Sequence, residues 1–208
     1  MSAGSPGDGV AALESAEVSV KLFVDDHSVV RPLELIPVFH RWIKDGALED
    51  ELMIDVANYE HVPQGPGIVL VCDKAHYYFD VRENRWGIRY RGRRDAPVSG
   101  RAAISHAFAS ALKAASLLEN DPALEGRYHF RTDRVEFGIY DRLRAPSDPA
   151  TLDAVKPSLE AAVEELYGSP VTGLELVSGP KQPFMVAVEN GSPPSIEELL
   201  DRVLAPAG

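Results

Sequence analysis

The chain has 208 residues but only one cysteine, few aromatics and less basic than acidic charge. With Cys72 as the single thiol, an internal disulfide is excluded, and so is a zinc site built on several thiolates. No histidine pair stands in H-E-x-x-H spacing, no Gly-Lys-Ser/Thr closes a glycine-rich loop, and no serine occupies a G-x-S-x-G elbow. These gaps remove the signatures of zincins, P-loop nucleotide binders and α/β-hydrolases, and no metal or cofactor is predicted. No apolar run approaches the ~20 residues of a membrane-spanning helix. The opening "MSAGSPGDGVAALESAE" lacks a basic segment and an apolar segment, so no secretory signal and a cytoplasmic location are expected. Lys and Arg number 21 against 32 Asp and Glu, a net charge of −11 that repels phosphate at long range. Nucleic acid and membranes are therefore not expected as partners.

Hydrophobic residues at 45% and charged residues at 25% describe a soluble globular chain long enough to bury a core. Residues 1–15, small and glycine-rich, read as a disordered tail, and 16–208 as a single α+β domain. In "EVSVKLFVDD" apolar Val18, Val20, Leu22 and Val24 alternate with Ser19, Lys21 and Phe23, the period of a half-buried strand. "RPLELIPVFHRWIKDG" predicts a helix with Leu35, Ile36, Phe39 and Ile43 inward and Gly46 as its stop. Pro37 marks either its first turn or a kink. Strands follow at "ELMIDVANYEHV", with Leu52, Ile54 and Val56 on one face, and at "IVLVC", with a turn centred on Pro66–Gly67 between them. A hairpin around Glu83 and Asn84 is predicted next, then a helix over 98–119 capped by Ser99, and one long or broken strand in "RYHFRTDRVEFGIYDRL". A helix over 148–167 opens with Asp148–Pro149, strands lie in "VTGLELVS" and "PFMVAVEN", and Ser195 with Glu198 forms a capping box.

The two ends echo each other. Val18 and Val135, Pro32 and Pro149, Leu35 and Leu152, Pro63 and Pro180, Pro66 and Pro183, Val69 and Val186, and Val71 and Val188 all stand 117 apart. The order strand–helix–strand–strand occurs over about 18–73 and about 135–190, with an insertion at about 76–130 and a terminal helix at 195–204. The expectation is a mainly antiparallel sheet with helices on a face, in two repeats related by a pseudo-two-fold axis.

Among chemistry-bearing residues, His61 and His76 lie at the ends of the predicted hairpin with Asp55 or Asp80 near. They form either an acid/base or metal pair or plain surface positions at strand ends. Cys72, inside "VLVCD", packs as a small apolar residue rather than a nucleophile. The arginines are more distinctive: Arg82, Arg85, Arg89, Arg91, Arg93, Arg94 and Arg101 crowd into twenty residues. On "RWGIRYRGR", Arg85, Arg89, Arg91 and Arg93 share one strand parity and Trp86, Ile88 and Tyr90 the other. "RYHFR" repeats the pattern with Arg127, His129 and Arg131. A guanidinium row suits a carboxylate or phosphate, held through a planar fork. Four readings stay open: a binding protein for an anionic small molecule or acidic protein segment; a small enzyme on a phosphorylated or carboxylated substrate, using His61 or His76; a homodimer or other homo-oligomer; or arginines merely paired with acids of their own chain.

"LIPVFHRWI" at 35–43, with "GPGIVLV" and "AHYYFD", resembles a bacterial family of similar length to which no activity is attached. The resemblance spans about 18–94 and implies a bacterial cytoplasmic protein; it carries over no site residue.

Overall fold

The computed structural model describes residues 17–81, 85–93, 100–191 and 193–204. Within them eight strands form one sheet: β1 (Val18–Val24), β2 (Met53–Asn58), β3 (Ile68–Cys72), β4 (Ala75–Asp80), β5 (Gly87–Gly92), β6 (Phe130–Ile139), β7 (Gly173–Leu176) and β8 (Phe184–Glu189). The order is β2-β3-β4-β5-β1-β6-β8-β7, antiparallel at every junction. Four helices complete the α+β fold: α1 (Leu35–Asp45), α2 (Gly100–Glu119), α3 (Pro149–Tyr167) and α4 (Ile196–Leu204). The tail at 1–15, the turn at Glu83 and Asn84, the Ser99 cap, Arg82 and Arg94 lie outside the described residues.

Local chemistry explains the helix ends. A 3-10 turn, Pro32–Glu34, leads into α1, so Pro37 falls in the first α-helical turn. Its missing N–H has no intrahelical acceptor to serve there, and no kink is required. Gly46, at φ 64°, ends the helix in the left-handed region. Asp148 accepts from the Thr151 N–H at 2.8 Å, and Pro149 opens α3. At α4, Ser195 accepts from the Glu198 N–H while Glu198 accepts from the Ser195 N–H, the reciprocal box that the spacing predicts. The buried stripe of α1 is Leu35, Val38, Phe39 and Trp42, turned from the predicted one so that Ile36 and Ile43 flank the core.

Helix residues join one face of the sheet in a single core. Val18, Val20, Leu22, Ile88, Tyr90, Val135, Phe137 and Val186 pack there with Ile104, Phe108 and Leu112 of α2 and Val155 and Leu159 of α3. The opposite face is not the wet face that alternation predicts. In β1, Ser19 and Lys21 are both 0% exposed, and Arg89 of β5 is 2% exposed. The strand is central, and its polar side is closed by charges on neighbouring strands. Of the face predicted for β2, Val56 packs against the core, but Leu52 and Ile54 are exposed and Met53 is buried in their place. A register shift between Met53 and Asp55 breaks the simple period of two.

Two further expectations are corrected. The hydrogen-bonded turn before β3 joins Val62 to Gly65 and centres on Pro63 and Gln64, one proline earlier than Pro66–Gly67. Gln64 takes φ 54°, the positive value needed at the third position of such a turn. "RYHFR" is not a strand face: β6 begins at Phe130, and Arg127 and His129 precede it. Their backbone is instead tied to the loop after β1, where Val29 N–H donates to the Arg127 carbonyl and Asp25 N–H to the His129 carbonyl. Moreover, β1 lies between β5 and β6, so the two arginine-bearing segments are not neighbours.

Candidate functional site

One row of cross-strand partners builds the centre of the polar face. Tyr78 of β4 stands opposite Arg89 of β5, Arg89 opposite Lys21 of β1, and Lys21 opposite Glu136 of β6. A strand places every second side chain on one face, so these four project to the same side. Lys21 Nζ donates to Asp80 Oδ1 at 2.5 Å and to the Arg85 carbonyl at 2.9 Å. Arg89 donates through Nε to Asp80 Oδ2 at 3.1 Å and through Nη2 to Glu136 Oε1 at 2.7 Å. Two cations thus alternate with two carboxylates, all four side chains at most 6% exposed. Burial alone would push the Asp80 carboxyl upward, but Arg89 and Lys21 outweigh it and hold the group below the ordinary aspartate value. Burial likewise opposes charge on Arg89, and Tyr140, Asp80 and Glu136 overcome it, raising the guanidinium further above its ordinary value. For Lys21 burial wins over Asp80, and its pKa falls.

The network is incomplete at one atom. Arg89 Nη1 is buried and, among the described residues, has no hydrogen-bond partner. Arg89 lines a cavity of about 160 Å³. One wall is Gln64, Gly65 and Pro66 of the loop before β3; the other is Tyr78, Asp80, Arg89, Arg91 and Tyr140. Arg91 donates through its guanidinium to Glu17 and lies over the Tyr140 ring, 3.8 Å from the centroid. Both partners of this cation–π contact line the cavity. Gly67 sets the depth of the loop: a Cβ there would fall on the Phe79 carbonyl oxygen, so the loop approaches β4 more closely than any other residue permits.

The predicted arginine surface is divided by this arrangement. Among the described arginines, only Arg89 and Arg91 line the cavity. Arg85 lies over the Phe23 ring at 4.1 Å. Arg93 is exposed just beyond β5. Arg127 pairs with Glu34 and Glu125, both at 2.6 Å, and Arg131 with Asp133 at 2.8 and 2.5 Å. The His129 side chain is exposed. The histidines do not meet: His61 is exposed in the loop before β3, and His76 sits in β4 beside the far end of that strand. The length of β3, roughly 15 Å, separates them. His76 Nδ1 accepts from the Cys72 N–H at 3.3 Å, and burial, aided by Arg93, lowers its pKa. Asp55 Oδ1 accepts from the Val56 N–H on the outer edge of β2, which blunts that edge. No group of three or more metal-ligating side chains occurs among the described residues.

Cys72 is 0% exposed, and burial together with Glu51 pushes its thiol up to about 12. Native protein at pH 8 is therefore expected to resist iodoacetamide and to react stoichiometrically once unfolded in urea, as mass spectrometry would show. Glu51 Oε2 is a second buried atom with no partner, and burial raises its carboxyl pKa. A raised folded-state pKa contributes stability at low pH that is lost as pH climbs through that value. Glu51→Gln is expected to stabilise the protein at pH 7, by less than about 1 kcal/mol after solvent screening, with the gain vanishing near pH 4 in thermal denaturation.

The cavity includes residues that the sequence reading passed over: Tyr78, Tyr140 and Gln64 in its walls, and Lys21 and Glu136 behind it. A signal for the charged pair was present. "VSVKLFV" and "VEFGI" are apolar strands that each carry one charge, and the signs are opposite. No protein-family model matches the chain. No curated protein matches it either. No helix among the described residues is long and apolar enough to cross a membrane.

Proposed function

We propose that this chain is a non-catalytic binding protein that takes a small anion into the cavity beneath the β2–β3 loop. The observation that carries this reading is that Arg89, whose buried Nη1 has no hydrogen-bond partner among the described residues, lines a cavity of about 160 Å³. A buried guanidinium N–H without an acceptor is costly, on the order of 1–3 kcal/mol, and an incoming acceptor removes that cost. Charge-assisted bonds from arginine favour carboxylate or phosphate oxygens. An acid/base role for His61 or His76 has no comparable support, because neither lines the cavity.

The test is thermal denaturation with inorganic phosphate, acetate and benzoate at low and high salt. At least one anion is expected to raise the melting temperature saturably, and less so at high salt. Amide resonances of residues 64, 65, 78, 89, 91 and 140 should move with it. An unchanged melting temperature with all three anions rejects the reading.

The wider setting belongs to the same proposal. Residues 18–94 resemble bacterial proteins, and the single free thiol of Cys72 suits a reducing cytoplasm. We also read the fold as two related halves. In support, Val20 of β1 faces Phe137 of β6, its partner at the 117-residue offset, and Pro32 and Pro149 each open a helical segment. The halves differ in one respect: β8 pairs directly with β6, whereas β4 and β5 stand between β3 and β1.

A further inference from the structure

We infer that the anion is a planar monocarboxylate of benzoate size, rather than a phosphate ester or an acidic peptide. The inference rests on the binding reading above and narrows it. Charge comes first. Around the cavity Lys21, Arg89 and Arg91 are balanced by Asp80, Glu136 and Glu17 through direct ion pairs. The set is neutral, so every added negative charge is uncompensated there, and a dianion costs more than a monoanion. One donor, Arg89 Nη1, awaits an acceptor, and one carboxylate supplies it.

Size and shape give the rest. Empty space of about 160 Å³ is enough for a single six-membered ring, since apolar cavities near 150 Å³ hold benzene. A polypeptide could place no more than a single side chain in it. The lining is rich in planar and ring side chains: Tyr140 with Arg91 over it, Tyr78, and Pro66 from the loop. Flat π surfaces select planar partners through offset or edge contacts. The ligand's carboxylate is directed to Arg89, and its ring lies against Tyr78 and Tyr140.

Isothermal titration calorimetry and NMR on the full chain would decide the matter, with benzoate, cyclohexanecarboxylate, benzamide, acetate and inorganic phosphate as probes. Benzoate is expected to bind at least tenfold more tightly than each of the others. Tyr140→Leu, checked for folding by circular dichroism, is expected to weaken benzoate about tenfold and acetate by a smaller factor. Phosphate binding best would overturn the monocarboxylate and leave the anion-binding reading standing. Cyclohexanecarboxylate equal to benzoate would overturn planarity, and benzamide equal to benzoate would overturn the carboxylate. No binding by any probe would overturn this inference and the function it rests on together.

Discussion

Asp80→Ala is expected to remove about 3–5 kcal/mol of folding stability, because it strands two buried cations at once. Asp80 receives Lys21 on one carboxylate oxygen and Arg89 on the other. Neither cation can reach bulk water, since both side chains are at most 2% exposed. The loss is large beside a typical total of about 5–15 kcal/mol, so the variant should unfold at much lower urea. The effect also has a pH signature. The folded-state pKa of Asp80 lies below its ordinary value, so the charged group contributes stability above the unfolded pKa, and that contribution disappears as pH falls through the folded one. Wild type and variant should therefore converge in acid. A loss under about 1 kcal/mol at pH 7 would show that the network behaves as a solvated surface pair instead.

Gly67→Ala is the second large effect, and it reaches the cavity through the backbone. Gly67 has φ 66°, and a left-handed backbone costs an L residue about 1–2 kcal/mol. The added methyl would also strike the Phe79 carbonyl and the Asp80 Cα, which are main-chain atoms held by strand pairing. The loop must then lift away from β4. Since Gln64, Gly65 and Pro66 form one wall of the cavity, the variant should lose anion-dependent thermal stabilisation beyond its drop in melting temperature. Gly46→Ala is the matched control. It has φ 64°, but its Cβ would meet nothing within 4 Å, so it should show the backbone cost without the loss of response.

The two predictions mark how far the sequence reading extends. Helix ends were legible because they depend on a few adjacent residues: Asp148 with Pro149, Ser195 with Glu198, and Gly46. The strand segments 68–72, 75–80 and 87–92 were legible from their apolar content. Misreadings arose where a partner strand decides the outcome. The register shift in β2 turned Ile54 outward, and Arg127 and His129 were drawn into a loop contact rather than a ladder. The arginine row on β5 was read with the right parity, but its exposure was not. Arg89 is closed off by Asp80 nine residues before it and Glu136 forty-seven residues after it.

By itself the sequence determined an α+β chain without disulfides, its helix caps, most of its strands and the shared parity of Arg89 and Arg91. These follow from period, capping and composition, which act over a few residues. Only the tertiary structure decided strand order, the neutral Lys21–Asp80–Arg89–Glu136 network and the cavity under the loop. Pairing across a sheet is a contact between distant segments, and whether a charged side chain meets water or a counter-ion depends on which strand lies beside it.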